Sequence, residues 1–178
     1  MRQYFSKMRG VSQPPPLPRK KEVVLAFVGS CLALSFIALM HESFSNALGL
    51  PLIMAPFGAS AVLVFGAFRS PLAQPRNVLG GHVISALIGV SVYYLVGDAQ
   101  VLAISLAVPT AIAVMYLSGT LHPPGGATAF VTAAGGSSIH ALGYWYVLSP
   151  CALGSIILIL FGLVINNIPA KQQYPQFW

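Results

Sequence analysis

A double proline followed by a double glycine, in His122-Pro123-Pro124-Gly125-Gly126-Ala127-Thr128-Ala129, interrupts a chain otherwise built for hydrocarbon. Proline removes a backbone donor and clashes with the preceding turn, and glycine weakens a helix, so this stretch cannot be the middle of an ordinary membrane helix. The surrounding composition is what makes the break informative. Of 178 residues, 56% are hydrophobic and 7% charged, and the mean hydropathy is +0.78; soluble domains carry about 25% charged residues. The apolar residues run from Val23 to Ile168 with no soluble domain left over. In a bilayer, backbone that leaves the helix survives only where it is buried in protein or lines a polar cavity. The break is therefore a candidate site.

The device occurs twice. Pro56-Phe57-Gly58-Ala59-Ser60-Ala61 shares the pattern P-x-G-A-[ST]-A with Pro124-Gly125-Gly126-Ala127-Thr128-Ala129, 68 positions later. Apolar stretches lie at roughly 23–41, 51–68, 78–96, 100–118, 121–137 and 144–166. Four are long enough to cross as ordinary helices, and the second and fifth are broken or re-entrant. This predicts an all-α integral membrane protein with six membrane elements. Residues 1–21 form a basic, Pro-rich cytoplasmic arm, 22–168 the transmembrane domain and 169–178 a C-terminal tail. If both broken elements traverse, His41-Glu42, Asp98 and His140 face outside, while Arg69, Arg76 and Lys171 face the cytoplasm with both termini. Every Lys and Arg then obeys the positive-inside rule. Three crossings per half is an odd number, so 23–96 and 100–166 read as an inverted repeat of the secondary-transporter kind.

The net charge of +6 does not point to nucleic acid, because six of the nine Lys and Arg are Arg2, Lys7, Arg9, Arg19, Lys20 and Lys21 in the N-terminal arm. They read as a flank attracted to anionic headgroups. Pro14-Pro15-Pro16-Leu17-Pro18 favours an extended polyproline stretch in that arm. The run from Val23 to Met40 is as long as a bilayer span, so it reads as the first helix rather than a cleaved signal. Cys31 and Cys151 lie in apolar runs without CxxC spacing, as small packing residues. Tyr93, Tyr94, Tyr144, Trp145 and Tyr146 fall at span ends and read as an interfacial belt.

At each break, proline suits the first helical position. The backbone amides of Phe57, Gly58 and Ala59, and of Gly125, Gly126 and Ala127, would then be the orphan donors at a positive helix end, which favours an anion. Ser60 and Thr128 lie four residues after the proline, and helical side chains lean back toward the N-terminus, so their hydroxyls can reach the same spot. In an inverted repeat the two helix starts face each other near the midplane. The competing reading is that Gly and Ala serve close helix packing while the hydroxyls bond the preceding turn. His122 is either an anion donor and proton switch or a helix-cap histidine at the cytoplasmic rim. His82, after Gly80-Gly81, lies on the pathway or packs helices. Arg76 and Asn77 would line a cytoplasmic vestibule, or Arg76 would snorkel to headgroups.

No H-E-x-x-H, G-x-S-x-G or Walker sequence is present, and the only acids are Glu22, Glu42 and Asp98. The chain reads as no enzyme, without cofactor or metal, and ATP-driven transport would need a separate subunit. The glycines at 80, 81, 89, 154 and 162 offer faces for close contact, and so small a bundle calls for a homodimer or homotrimer to enclose a pathway.

Three stretches carry a resemblance. His122 to Ala129, Pro71 to Asn77 running into Gly80-Gly81-His82, and Ala55 to Ser60 together resemble the HPP family of integral membrane proteins, named for the tripeptide His122-Pro123-Pro124. The resemblance spans about residues 23–166. It implies a protein of the bacterial inner membrane or the plastid inner envelope, with some members linked to nitrite transport. The family is described with four spans; six elements are retained here, because short interrupted segments escape hydropathy windows. Taken with the helix-start argument, this gives a transporter or channel for a small monovalent anion, with nitrite the leading substrate. The alternative is a non-transporting membrane sensor or assembly partner.

Overall fold

In the computed structural model residues 2–8, 14 and 16–178 are described, and Arg9 and Pro15 of the basic arm lie outside them. Among the described residues the fold is entirely helical. A short α1, Arg2–Ser6, precedes α2, Lys20–Leu48. The first broken element is α3, Pro56–Ala61, which widens into a π-helical stretch over Val62–Gly66. A 3-10 turn, Pro71–Ala73, leads into α4, Pro75–Val96, and α5, Gln100–Ser118. The second broken element is α6, Pro123–Ala134, followed by a single turn, α7, Ser137–His140. A π-helical stretch over Val147–Ala152, kinked at Ser149, opens α8, Leu153–Asn166.

Four helices are long and apolar enough to cross a membrane: Lys20–Leu48, Pro75–Val96, Gln100–Ser118 and Val147–Asn166. The 12 residues of α6 rise only about 18 Å at 1.5 Å per residue, short of a hydrocarbon core about 30 Å thick. Both broken elements are thus half-length helices preceded by non-helical chain.

Local chemistry explains the boundaries. Helix α2 ends at Gly49, whose φ of 65° is the left-handed cap that glycine adopts without strain, and α5 ends the same way at Gly119, φ 66°. Pro56, Pro75 and Pro123 each stand at the start of a helix, where a missing N–H costs nothing. One expectation is corrected here. The first element does not end near residue 41, where the apolar stretch ends, but continues as helix to Leu48, with His41 and Glu42 inside it. The polar residues from Ser43 to Asn46 lower hydropathy without breaking the helix, and no breaker comes before Gly49. His41 Nδ1 instead accepts from the Leu52 N–H at 3.1 Å, folding the returning chain against α2.

Side-chain pairings give each element its direction. At one end of the bundle Arg69 lies 4.0 Å from Glu22, near the start of α2. There too Arg76 Nη2 donates to the Ser118 carbonyl at the end of α5 at 2.7 Å, and the Tyr174 hydroxyl donates to Ala73 at 2.8 Å. At the other end His140 stacks on Tyr93 with ring centres 3.4 Å apart, and Ser149 donates to the Pro51 carbonyl. Residues 49–69 therefore carry the chain from the far end of α2 back to the level of its start, and 119–137 carry it the other way. Helices α3 and α6 run in opposite senses.

Packing makes two interlocked groups. Helices α4, α5 and α6 enclose a core of Ala103, Ala107, Ala111, Met115, Ala129 and Ala133. Helices α2, α3 and α8 enclose Ile37, Leu52, Phe57, Val64 and Leu158 among others. Tyr146, expected in the interfacial belt, is instead buried at 3% exposure in the second group, whereas Tyr94, Tyr144 and Trp145 are exposed. Cys31 is exposed, Cys151 is buried, and neither is in a disulfide.

The two groups depend on glycine at contact points. A Cβ on Gly154 would run into the Phe57 ring, whereas a Cβ on Gly58 would meet nothing within 4 Å. Gly154→Ala should therefore cost about 1–3 kcal/mol through overpacking. Gly58→Ala should be neutral or stabilising by up to about 1 kcal/mol from helix propensity. Thermal unfolding of the two detergent-solubilised variants checks this contrast, and equal midpoints would contradict it.

Candidate functional site

The two helix starts meet at a histidine. His82 lies in α4, a full-length apolar helix, and is completely buried. Its Nε2 is 2.7 Å from Ser60 Oγ of α3, and its Nδ1 is 2.7 Å from Thr128 Oγ1 of α6. Ser60 Oγ also lies 2.9 Å from Nε2 of His122, whose Nδ1 is 2.8 Å from the Leu72 carbonyl in the 3-10 turn. Ser60, His122 and Thr128 are each 0% exposed. The imidazoles meet edge to face with centres 5.0 Å apart, and Phe57 packs edge-on against His82 at 5.4 Å.

Small residues make this convergence possible. A Cβ on Gly81 would fall 2.5 Å from the His122 Cβ, and one on Gly125 would fall 2.8 Å from Ser85 Oγ and 2.9 Å from the Gly81 carbonyl. Without those two glycines α4 and α6 could not approach closely enough for His82 to reach Thr128. The hydroxyls are where side chains leaning back along a helix should be, and each retains a second acceptor one turn earlier: Pro56 O for Ser60 and Pro124 O for Thr128, both at 3.3 Å.

Proton positions follow from what each partner can do. A carbonyl only accepts, so His122 carries a proton on Nδ1, and with the ring uncharged its Nε2 is a bare acceptor. Ser60 must donate to it. The single hydroxyl proton is then used, so Ser60 accepts from His82 Nε2–H, which leaves His82 Nδ1 bare to accept from the Thr128 hydroxyl. With both rings uncharged the chain runs one way, from Thr128 through His82, Ser60 and His122 to Leu72.

The other expected residues are placed as follows. Phe57 and Gly58 N–H groups donate to the Met54 and Ala55 carbonyls at 3.1 Å, and Gly125 N–H donates to His122 O at 2.8 Å. These three amides are engaged within their own turns. Gly58, Ala59 and Ala127 are exposed and Gly126 is half-buried, away from the histidines. Arg76 is exposed and closes the end of α5 through Ser118. Asn77 is buried, with Nδ2 donating to Leu121 O at 2.9 Å and Oδ1 without a partner. His122 holds the cap position of α6 in extended backbone but makes no side-chain cap bond; its ring turns inward instead. Among the described residues no cluster of His, Cys, Asp or Glu is arranged to hold a metal ion.

Sequence reasoning gave His82 a secondary place, although a histidine inside a full apolar span is itself a signal, since burying a polar group there is costly. Nothing in the sequence marks the Leu72 carbonyl. Its turn is pinned by the C-terminal segment, where burial holds the Tyr174 phenol above its ordinary range, as the donor to Ala73, and Gln176 N–H donates to Gln74 at 2.7 Å.

The comparison with known families agrees with the motifs. The family described as "HPP, transmembrane region" matches residues 15–175. The chain belongs to the HPP family. Two Dictyostelium discoideum proteins, each named only as a transmembrane protein, are similar to this HPP chain. One is 37% identical over 180 residues, covering 99% of this chain and 57% of the relative. The other is 36% identical over 182 residues, covering 99% and 63%. The chain thus spans about three-fifths of the length of the curated relatives it matches. No solved structure matches.

Ser60 is the only bridge between the two HPP-site histidines, so Ser60→Ala leaves a buried donor and a buried acceptor without partners. A loss of about 1–3 kcal/mol is expected, whereas Ser91→Ala, which removes an exposed contact to Tyr144, should cost about 0.5 kcal/mol or less. Unfolding midpoints measured on both variants check this.

Proposed function

We propose that this HPP protein is a transporter or channel for a small monovalent anion, with nitrite the leading substrate. The observation that carries the reading is the fully buried, hydrogen-bonded cluster of Ser60, His82, His122 and Thr128 where two opposed half-helices meet. Polar groups at membrane depth are expensive and mark substrate and ion pathways by default. Half-helices that start from opposite ends are the way secondary transporters build a midplane site. The choice of nitrite rests on the family resemblance alone.

We read the architecture as six crossings in a 3+3 inverted repeat, with both termini cytoplasmic, and several contacts support that. The opposite senses of α3 and α6 are what the repeat requires. Contacts also recur at an offset of about 68 positions. Phe57 packs on Gly154 as Gly125 packs on Ser85, with large and small exchanged. Met54 meets Cys151 as His122 meets His82. The third helix of each half packs on the first two of the other.

We further propose a homodimer or homotrimer. Large apolar side chains cover the outer faces of α2 and α5, with Phe27 71%, Val101 83% and Leu117 89% exposed. These faces are suited to lipid or to a second copy.

Purified protein in liposomes should admit nitrite faster than protein-free vesicles. His82→Phe, which fills the volume but removes both ring nitrogens, should lower that flux at least about tenfold, the effect of roughly 1.4 kcal/mol. Folded protein that passes no small anion would sink the reading and favour a sensor or assembly role.

A further inference from the structure

Counting donors at the cluster leads beyond anion transport. We infer that the anion binds only together with a proton taken up by the His82–His122 pair, so that the two cross one-for-one as a neutral unit; this rests on the anion-transport reading. With both rings uncharged, every proton on the cluster is committed: Thr128 O–H to His82 Nδ1, His82 Nε2–H to Ser60, Ser60 O–H to His122 Nε2, and His122 Nδ1–H to Leu72 O. The cluster itself has no donor left for an anion, and the amides of Phe57, Gly58 and Gly125 are engaged as well. With its own donors committed, the uncharged cluster offers an anion no hydrogen bond to replace its lost water.

One added proton changes the count. Placed on His82 Nδ1, it donates to Thr128 Oγ1, and the Thr128 hydroxyl is released to turn toward Pro124 O, 3.3 Å away, or toward an anion. The charge can then move. The His82 Nε2–H bond breaks as that proton joins Ser60 Oγ, while the former Ser60 proton joins His122 Nε2. One N–H and one O–H are lost and one of each is formed. His122 becomes the cation, Ser60 donates back to His82 Nε2, and His82 Nδ1–H still faces Thr128. Both placements of the charge leave the Thr128 hydroxyl free and a positive ring nearby.

The far end is closed. His122 Nδ1 faces a carbonyl, which cannot take the proton onward. The proton must return through the Thr128 end, where the anion binds, which ties one to the other. Few groups could disturb this. His82 faces Phe57 and Ser60 of α3, Thr128 of α6 and the His122 ring. His122 faces Ser60, Leu72 O and the Gly81 backbone of α4. Among the described residues no titratable group outside the pair acts on either ring.

Two measurements on the unmodified protein test this. In proteoliposomes carrying an internal pH dye, with protein-free vesicles subtracted for passive leak, nitrite should enter with one proton each. Its rate should rise with an inward proton gradient and stay unchanged when a potassium–valinomycin potential is imposed. Nitrite entering without protons, or at a potential-dependent rate, overturns the coupling while the anion reading stands; no protein-dependent nitrite flux overturns both. Nitrogen-15 histidine NMR should show opposite tautomers in the uncharged state, the proton on Nε2 in His82 and on Nδ1 in His122. Finding the same tautomer in both rings would overturn the relay irrespective of flux.

Discussion

Hydrocarbon offers no water to satisfy a polar group, and this single constraint organises the centre of the molecule. An imidazole buried without partners would leave a donor and an acceptor unpaired, at a cost larger than most single packing interactions. Two are buried here, and each is satisfied at both nitrogens. Meeting that requirement takes one hydroxyl from each half-helix and one carbonyl from a 3-10 turn, delivered to within hydrogen-bond distance from three separate places in the chain. The prolines that begin α3 and α6 determine where those hydroxyls stand. Gly81 and Gly125 determine how closely their helices approach. The C-terminal segment, through Tyr174 and Gln176, holds the turn that presents Leu72.

In the proposed repeat the two halves share a backbone plan and differ in chemistry. Where the second half places His122 against His82, the first places Met54 against Cys151, with the sulfurs 3.7 Å apart. The left-handed caps at Gly49 and Gly119 and the complementary pairs Phe57–Gly154 and Gly125–Ser85 are what such a repeat would share, with different fillings. In the proposed repeat only one of the two equivalent positions carries proton chemistry. The asymmetry puts two imidazoles on one side of the junction and two sulfurs on the other.

Much of this was legible before any coordinates. The motif P-x-G-A-[ST]-A marked both half-helices, and the four-residue spacing from proline to hydroxyl identified Ser60 and Thr128 as the converging groups. The motif could not say what they converge on. Free amides were expected at the helix starts, but Phe57, Gly58 and Gly125 close tight turns on Met54, Ala55 and His122, a backbone choice that residue type does not announce. His82 was underrated because its partners lie 22 and 46 positions away in sequence. The length of α2 was underestimated for the opposite reason: hydropathy falls at His41, but the helix ends only where glycine allows a left-handed turn.

The site depends on two short helices that begin at opposite ends of the bundle, so that Ser60 and Thr128 approach His82 from opposing directions. Sidedness of single cysteines in intact membranes tests this most directly, on a background with Cys31 and Cys151 replaced by alanine. Positions 69 and 171 should react with a membrane-impermeant thiol reagent from one side, and positions 98 and 140 from the other. Reaction of position 69 from the same side as position 140 would contradict the opposed half-helices and the site built between them.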